Sequence, residues 1–286
     1  MTRVDKIKLA LTRNWNLPGK SRLARWLIPS VLKSSPYFTG ISWLEGENVA
    51  IYIDTRSYIE WIVFSQGNYE KEIGSLLKLS LMPGYVALDV GANIGVQSLR
   101  MAKLVGPNGS VISCEPLPHL RERLAANLAL NQVENVSIIP AALSEYCGAT
   151  EISFDLDNWN QGTASLSKVH KSSVSVEVFT GDELLERRNV KRLDLVKIDV
   201  EGHEFQVIKG LQKSINKYHP RIIFEYDENY WQRSGSRYAD CFTLLLELEY
   251  DIYGVYEQGA QKLTAQDGDI ASNIYCIPST NRQTRQ

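Results

Sequence analysis

From residue 85 onward, short apolar segments alternate with amphipathic ones, and this rhythm restricts the chain to a small set of folds. Candidate strands lie at 85–90, 110–114, 135–140, 194–198, 221–226, 251–256 and 273–277. Several are apolar at consecutive positions, as strands covered on both faces must be. In segment 117–131, Leu120, Leu124 and Leu128 recur every fourth residue, and Arg121, Glu122 and Arg123 occupy the other face, which predicts a helix. Segments 204–218 and 238–249 read as further helices. Strands alternating with helices imply an α/β fold, a doubly wound, seven-stranded, mostly parallel sheet with helices on both faces.

Two segments depart from the rhythm. Residues 143–181 are polar and β-rich, with period-two alternation near their end, and read as a hairpin or flap inserted between the third and fourth core strands. Residues 1–80 form an N-terminal extension of basic arm, helix and short strands, with candidate strands at 50–53 and 60–64. The main domain is expected over 81–279, followed by a short polar tail at 280–286 that reads as flexible.

Composition narrows the function. Thirty-one Lys and Arg against 33 Asp and Glu give a net charge of −2, unlike a dedicated nucleic-acid binder. No apolar run approaches the roughly 18 residues that span a bilayer. Cys114, Cys147, Cys241 and Cys276 are far apart, with no Cys-x-x-Cys pair, and the first residues lack the continuous apolar segment of a signal peptide. These features point to a reducing, cytoplasmic setting. Residues 1–33 carry eight basic residues and one acid, a local +7. That arm reads as a solvated segment or capping helix in preference to a membrane contact. Nothing in residues 1–80 determines an oligomeric state.

The strongest chemical signal is Leu88-Asp89-Val90-Gly91-Ala92-Asn93-Ile94-Gly95, directly after a strand and opening a helix. Glycines allow a tight turn and close backbone approach to a ligand. The Gly91-x-x-x-Gly95 spacing is not the G-x-G-x-x-G of a dinucleotide site. Asp89 disfavours a pyrophosphate and suits an ammonium, and Glu115, just after the next strand, stands where an acid binds both hydroxyls of a ribose. A nucleoside with an amino-acid tail meets both demands, and S-adenosylmethionine is such a molecule.

A second signal, Lys197-Ile198-Asp199-Val200-Glu201-Gly202-His203-Glu204, closes the fourth core strand, where ligands sit in open α/β sheets. Asp199 suits the cofactor's amino group or a substrate hydroxyl. His203 is the candidate general base near neutral pH, with Glu225 to orient it. Glu204 reads as a helix-start residue. A divalent metal on this Asp, Glu and His cluster is the minor reading.

In this order and spacing, the LDVGANIG, SCEP, AALSE, KIDVEGHE and IIFEY segments resemble the FkbM family of S-adenosylmethionine-dependent methyltransferases, over about residues 67–226. The resemblance implies a class I (Rossmann-like) methyltransferase fold and O-methyl transfer to a small-molecule acceptor, often a sugar-containing or polyketide natural product. Carried over by position, Asp89, Gly91, Asn93 and Gly95 line the methionine part of the cofactor, with Ile94 between them. Glu115 holds the ribose, Asp199 stands beside the methyl group, Tyr69 closes over the cofactor, and Pro116 and Ala142 are further expected cofactor contacts. The segment Ala141-Ala142-Leu143-Ser144 lacks an acid for the adenine amino group, which leaves backbone amides and apolar contacts for that task. Acceptor specificity is expected from Asn158, Trp159, Asn160 and Gln161, with Tyr226, Tyr230 and Trp231, although helix–sheet packing competes as the role of Tyr230 and Trp231. Two alternatives remain, a cofactor-binding scaffold without catalysis and a nucleotide-linked oxidoreductase. The latter lacks its glycine-rich turn here.

Overall fold

Strand residues that alternate between two apolar layers define the core. In the computed structural model, Leu88, Val90, Ile112, Cys114, Val196, Ile198, Ile222 and Phe224 enter one buried cluster, while Ala87, Val111, Leu195 and Ile223 enter another on the opposite face. This explains the uninterrupted apolar runs, since neither face of the sheet meets water. The structure describes residues 3–13, 20–28, 38–154, 172–256, 259–264, 267 and 270–279. The expected specificity residues Asn158, Trp159, Asn160 and Gln161 lie outside them, as does the tail at 280–286.

The chain begins with helices α1 (Arg3–Arg13) and α2 (Lys20–Leu27), the antiparallel hairpin β1 (Thr39–Leu44) and β2 (Val49–Asp54), then helices α3 (Tyr58–Gln66) and α4 (Lys71–Ser80). The alternating region follows as β3 (Val86–Val90), α5 (Val96–Val105), β4 (Ser110–Cys114), α6 (Pro118–Leu130) and β5 (Val136–Ile139). The inserted part contains β6 (Ala141–Ser144), β7 (Gly148–Phe154) and β8 (Ser172–Thr180), a separate sheet in the order β6-β8-β7, and leads into α7 (Gly181–Arg187). Then come β9 (Leu195–Ile198), α8 (Glu204–Gly210), α9 (Gln212–Tyr218), β10 (Arg221–Glu225), α10 (Glu228–Arg233) and α11 (Tyr238–Glu247). Strands β11 (Tyr250–Tyr256), β12 (Gly259–Lys262) and β13 (Asn273–Pro278) complete the order.

The central sheet runs β12-β11-β13-β10-β9-β3-β4-β5, with β3, β4, β5, β9 and β10 parallel and β13 antiparallel to both its neighbours. This is the class I methyltransferase arrangement. Among the described residues it has eight strands where seven were expected, because β12 pairs with β11 as a short, fully exposed edge strand without an apolar pattern.

Segment 60–64 is helix, not strand. Its Ile-Trp-Val-Phe content favours strand locally, but α3 buries Ile59, Glu60, Trp61, Val63 and Phe64 on most of its circumference, so no polar stripe marks it as helical. Long-range contacts decide the outcome. Glu60 is fully buried, ion-pairs with Arg123 of α6 at 2.8 Å and accepts the Asp54 backbone N–H. The expected helix over 204–218 breaks at Leu211, just after Gly210, where a Cβ would sit 2.0 Å from the Ser144 carbonyl oxygen.

The N-terminal hairpin and α3 are packed into the molecule. Leu44, Ile51, Ile53, Ile59 and Val63 share one buried cluster with Leu117, Leu120 and Leu124 of the α6 region and with Ile152 and Val176 of the inserted sheet. Extension and insertion thereby meet above the carboxyl ends of β3 and β4.

Candidate active site

Strand register builds the site. Val90 pairs with Cys114 and with Ile198, and Ile198 pairs with Phe224. Residues Glu115, Gly91, Asp199 and Glu225 therefore follow these pairs as one row along the carboxyl edge of β4, β3, β9 and β10, with adjacent strands about 4.8 Å apart. A cavity of about 640 Å³ opens over this row, and all four residues line it.

The β3–α5 turn cannot be built with another residue at Gly91. Its φ is +81°, and a Cβ would stand 1.9 Å from the Asp199 carbonyl oxygen. The Gly91 and Ala92 N–H groups both donate to the Cys114 carbonyl. Asn93 donates its backbone N–H to Glu115 Oε2 at 2.8 Å, and Leu117 donates to Glu115 Oε1 at 2.9 Å. Glu115 is 4% exposed. Each of its oxygens carries one backbone donor and keeps acceptor capacity for a ligand, and burial raises its pKa to about 7.

Three residues expected on the cofactor stand behind this wall. Asp89 lies two residues before Gly91, on the face that α5 covers, and is completely buried. Its Oδ2 accepts from Ser98 Oγ at 2.6 Å, and its Oδ1 lies 3.8 Å from Lys197 Nζ. Ile94 is 2% exposed within an apolar cluster. Gly95 serves helix packing, since a Cβ there would meet Leu124 Cδ1 at 2.3 Å. In contrast, Tyr69, Gly91, Asn93, Glu115, Pro116, Ala142, Asp199, His203 and Glu225 are all brought to the cavity. Ala141 and Leu143 join Ala142 on its wall, an apolar surface in keeping with the missing acid.

The β9–β10 end is rich in carboxylates. Asp199 pairs with Lys197 at 3.0 Å, and Glu225 is hydrogen-bonded to Asp199. Burial, followed by the charge and hydrogen bond of Asp199, raises the Glu225 pKa to about 10. Burial opposes the charge on Lys197, but Asp199, Asp89 and Glu70 outweigh it and hold the ammonium above the ordinary lysine value. Glu70, at the start of α4, also faces the cavity, and burial together with Asp199 raises its pKa.

His203 and Glu225 do not form the expected pair. Glu225 stands beside Asp199 on the neighbouring strand, whereas His203 caps α8 and its Nε2 meets Ser144 Oγ of β6 at 2.9 Å. The acid that acts on His203 is Glu145. Burial outweighs it and, with Lys209, lowers the imidazole pKa to about 4. Glu204 does more than favour a helix start, because its Oε1 accepts the N–H groups of both Val200 and Gly202 and so shapes the loop that carries Asp199 and His203.

Trp231 is 1% exposed and packs among Phe205, Phe224 and Tyr226. Neither it nor Tyr226 or Tyr230 lines the cavity. Tyr230 instead hydrogen-bonds Glu201. The wall that sequence reasoning missed comes from the extension, where Tyr58, Ile59 and Ile62 of α3 and Asn68 and Glu70 beyond it face the row. Among the described residues, no group of three or more His, Cys, Asp and Glu is arranged to hold a metal ion, and no helix is long and apolar enough to cross a membrane.

A family model described as the methyltransferase FkbM domain matches residues 89–252, more than half of the chain. The chain belongs to the FkbM methyltransferase family. It is 30% identical over 147 residues to the hexuronic acid methyltransferase AglP of Haloferax volcanii, an alignment covering 51% of this chain and 58% of AglP. The chain therefore spans little more than half the length of that relative. It is 26% identical over 202 residues to the 2-O-methyltransferase NoeI of Sinorhizobium fredii, covering 64% of this chain and 80% of NoeI. A crystal structure titled methyltransferase FkbM, from Methylobacillus flagellatus, aligns at 14% identity and a TM-score of 0.44 over 71% of this chain and 50% of that one. The FkbM match begins at Asp89, so the α3 wall and Glu70 lie outside the matched segment.

Proposed function

We propose that this FkbM-family protein is an S-adenosylmethionine-dependent O-methyltransferase whose acceptor is a hydroxyl of a small molecule, a saccharide or a glycosylated natural product. The observation that carries the reading is the in-register row Glu115–Gly91–Asp199–Glu225 beneath one cavity. The donor set fits the cofactor. Glu115 keeps free acceptor capacity for a ribose diol, Gly91 leaves room for close backbone approach, Ala141–Leu143 offer an apolar wall, and the acid-rich end suits positive charge. When bound, the cofactor supplies a methyl group on a sulfonium that is already reactive. The chain's task is alignment and removal of one proton.

Asp199 orients the acceptor hydroxyl from the end of β9. His203 is neutral at physiological pH, and with a hydrogen on Nε2 donated to Ser144 it keeps an Nδ1 lone pair to accept the hydroxyl proton. The Asp199–Glu225 hydrogen bond favours a second route, in which this carboxylate pair takes the proton. The hexuronic acid in the name of AglP supports a sugar acceptor, and the 2-O-methyl transfer in the name of NoeI supports a hydroxyl as the methylated group. Transfer of labelled methyl from S-adenosylmethionine to a panel of uronic acids, hexoses and glycosylated small molecules tests the reading. A labelled sugar ether is expected, and its loss in His203→Ala with S-adenosylhomocysteine binding retained assigns the base. Full turnover in that variant with loss in Asp199→Asn assigns the carboxylate pair. No transfer to any hydroxyl acceptor by protein that binds the cofactor refutes O-methylation of this class.

A further inference from the structure

Glu70 is held into the cavity from outside it. Gln97 of α5 donates Nε2–H to Glu70 Oε2 at 2.7 Å, and the Tyr69 phenol hydrogen-bonds the same carboxylate. Arg100, one turn further along α5, donates to the Tyr69 carbonyl at 2.7 Å while gripping the carboxylate of Glu47 from the β1–β2 turn. An acid whose carboxylate is held by two side chains, one of them braced through its own backbone by Arg100, has little freedom to swing into water.

Acids outnumber their ion-pair partners at this end of the cavity, which Glu70, Asp199 and Glu225 share. Among the described residues, Lys197 is the ammonium that ion-pairs with Asp199, and it also serves the buried Asp89, while the exposed Lys71 lies on the cavity wall and Arg100 is committed to the Tyr69 carbonyl and to Glu47. Behind the acids, a small void of about 10 Å³ is bounded on one side by Glu70, Lys197, Asp199, Glu225 and Asn273 and on the other by Ile73, Ile198, Ile223 and Phe224. Buried carboxylates in excess of their cations are costly, and a ligand cation offsets that cost. The row begins at Glu115, which suits the ribose, and Glu70 faces its opposite half, beyond Gly91.

We propose that Glu70 is a cofactor-binding residue that receives the α-ammonium of the methionine tail, and that Gln97 and Arg100 are its positioning residues. The inference rests on the S-adenosylmethionine reading. It gives the N-terminal extension a direct part in cofactor recognition.

Calorimetric titration of the full chain tests it with two ligands, S-adenosylhomocysteine and 5′-methylthioadenosine, a nucleoside thioether without the amino-acid tail. Glu70→Gln is expected to weaken S-adenosylhomocysteine by about tenfold or more, the usual scale for a lost charged hydrogen bond, and to leave methylthioadenosine within about twofold of wild type. Gln97→Ala should show the same split at smaller size. If Glu70→Gln does not fold, Glu70→Asp, which keeps the charge on a shorter arm, carries the test with the same expected split. Equal losses for both ligands, or no loss for either, overturn the inference. Failure of wild-type protein to bind S-adenosylhomocysteine overturns the cofactor reading instead.

Discussion

The two ends of the cavity solve the burial of acids in opposite ways. At the β4 end a single carboxylate, Glu115, is held by backbone N–H groups of Asn93 and Leu117. At the β9–β10 end Glu70, Asp199 and Glu225 gather around Lys197, and Glu225 is driven to a pKa of about 10. The first end is complete without a ligand. The second is electrostatically unfinished, as expected of a pocket for a cationic tail. Rigid recognition of a neutral diol and charge-driven recognition of an ammonium can therefore coexist on one sheet edge.

The largest test of this contrast is Lys197→Met. Removing the ammonium that pairs with Asp89 and Asp199 should cost about 3–5 kcal/mol of stability, read by chemical denaturation at pH 8. The cost should shrink as pH falls, because Asp89, whose pKa burial raises, takes up a proton. Gly91→Ala comes next. Its Cβ would overlap the Asp199 carbonyl, and an ångström-scale displacement of the row should weaken S-adenosylhomocysteine by about 100-fold, measured by calorimetry. Glu115→Ala leaves two backbone donors unanswered at the quiet end, with about 1.5–3 kcal/mol lost from cofactor affinity and methylthioadenosine, which carries the same ribose, weakened in parallel.

The smallest effect is the pH slope. An acid whose folded pKa is raised is protonated in the folded state while the unfolded chain has already lost its proton, so stability falls as pH rises through that window. For Glu225 the window runs from the ordinary carboxylate value of about 4.3 up to about 10, and Glu115 and Glu204, each raised to about 7 by burial, add to it at the low end. His203 acts the other way. With its pKa lowered to about 4, it loses stability as pH falls from about 6.5 towards that value. Glu60 is likewise raised to about 7 by burial, and these acids together predict a higher melting temperature near pH 6.5 than at pH 8.5, a slope that flattens in Glu225→Gln. An unchanged slope in that variant would place the unfinished charge elsewhere.

Much of this was legible in the amino-acid sequence, because several parallel strands carry consecutive apolar residues, and β3, β4, β9 and β10 end in or run directly into a glycine or an acid. Gly91, Glu115 and Asp199 are such endings, and the register brings them into one row. The period of two also held an unused signal. Asp89 shares its face with Ser113 and Lys197, which turns its carboxylate under α5 and away from the cavity. Other features had no local signature. The run at Ile59–Phe64 favours strand by composition and becomes helix through Glu60 and Arg123, residues 63 positions apart. Strand β12 is exposed at all four residues, so hydropathy could not reveal it. Glu70 meets Asp199 only because α4 and β9 pack together, and His203 meets Ser144 rather than Glu225 because the inserted β6 passes beside α8.

The most direct measurement is calorimetric titration of the purified chain with S-adenosylhomocysteine, with NAD⁺ alongside. Micromolar binding of the first and none of the second is the expected result, with affinity lost in both Gly91→Ala and Glu70→Gln but methylthioadenosine spared only in the latter. A folded protein that ignores S-adenosylhomocysteine, or takes NAD⁺ equally well, would contradict a cavity built for a nucleoside with a cationic tail.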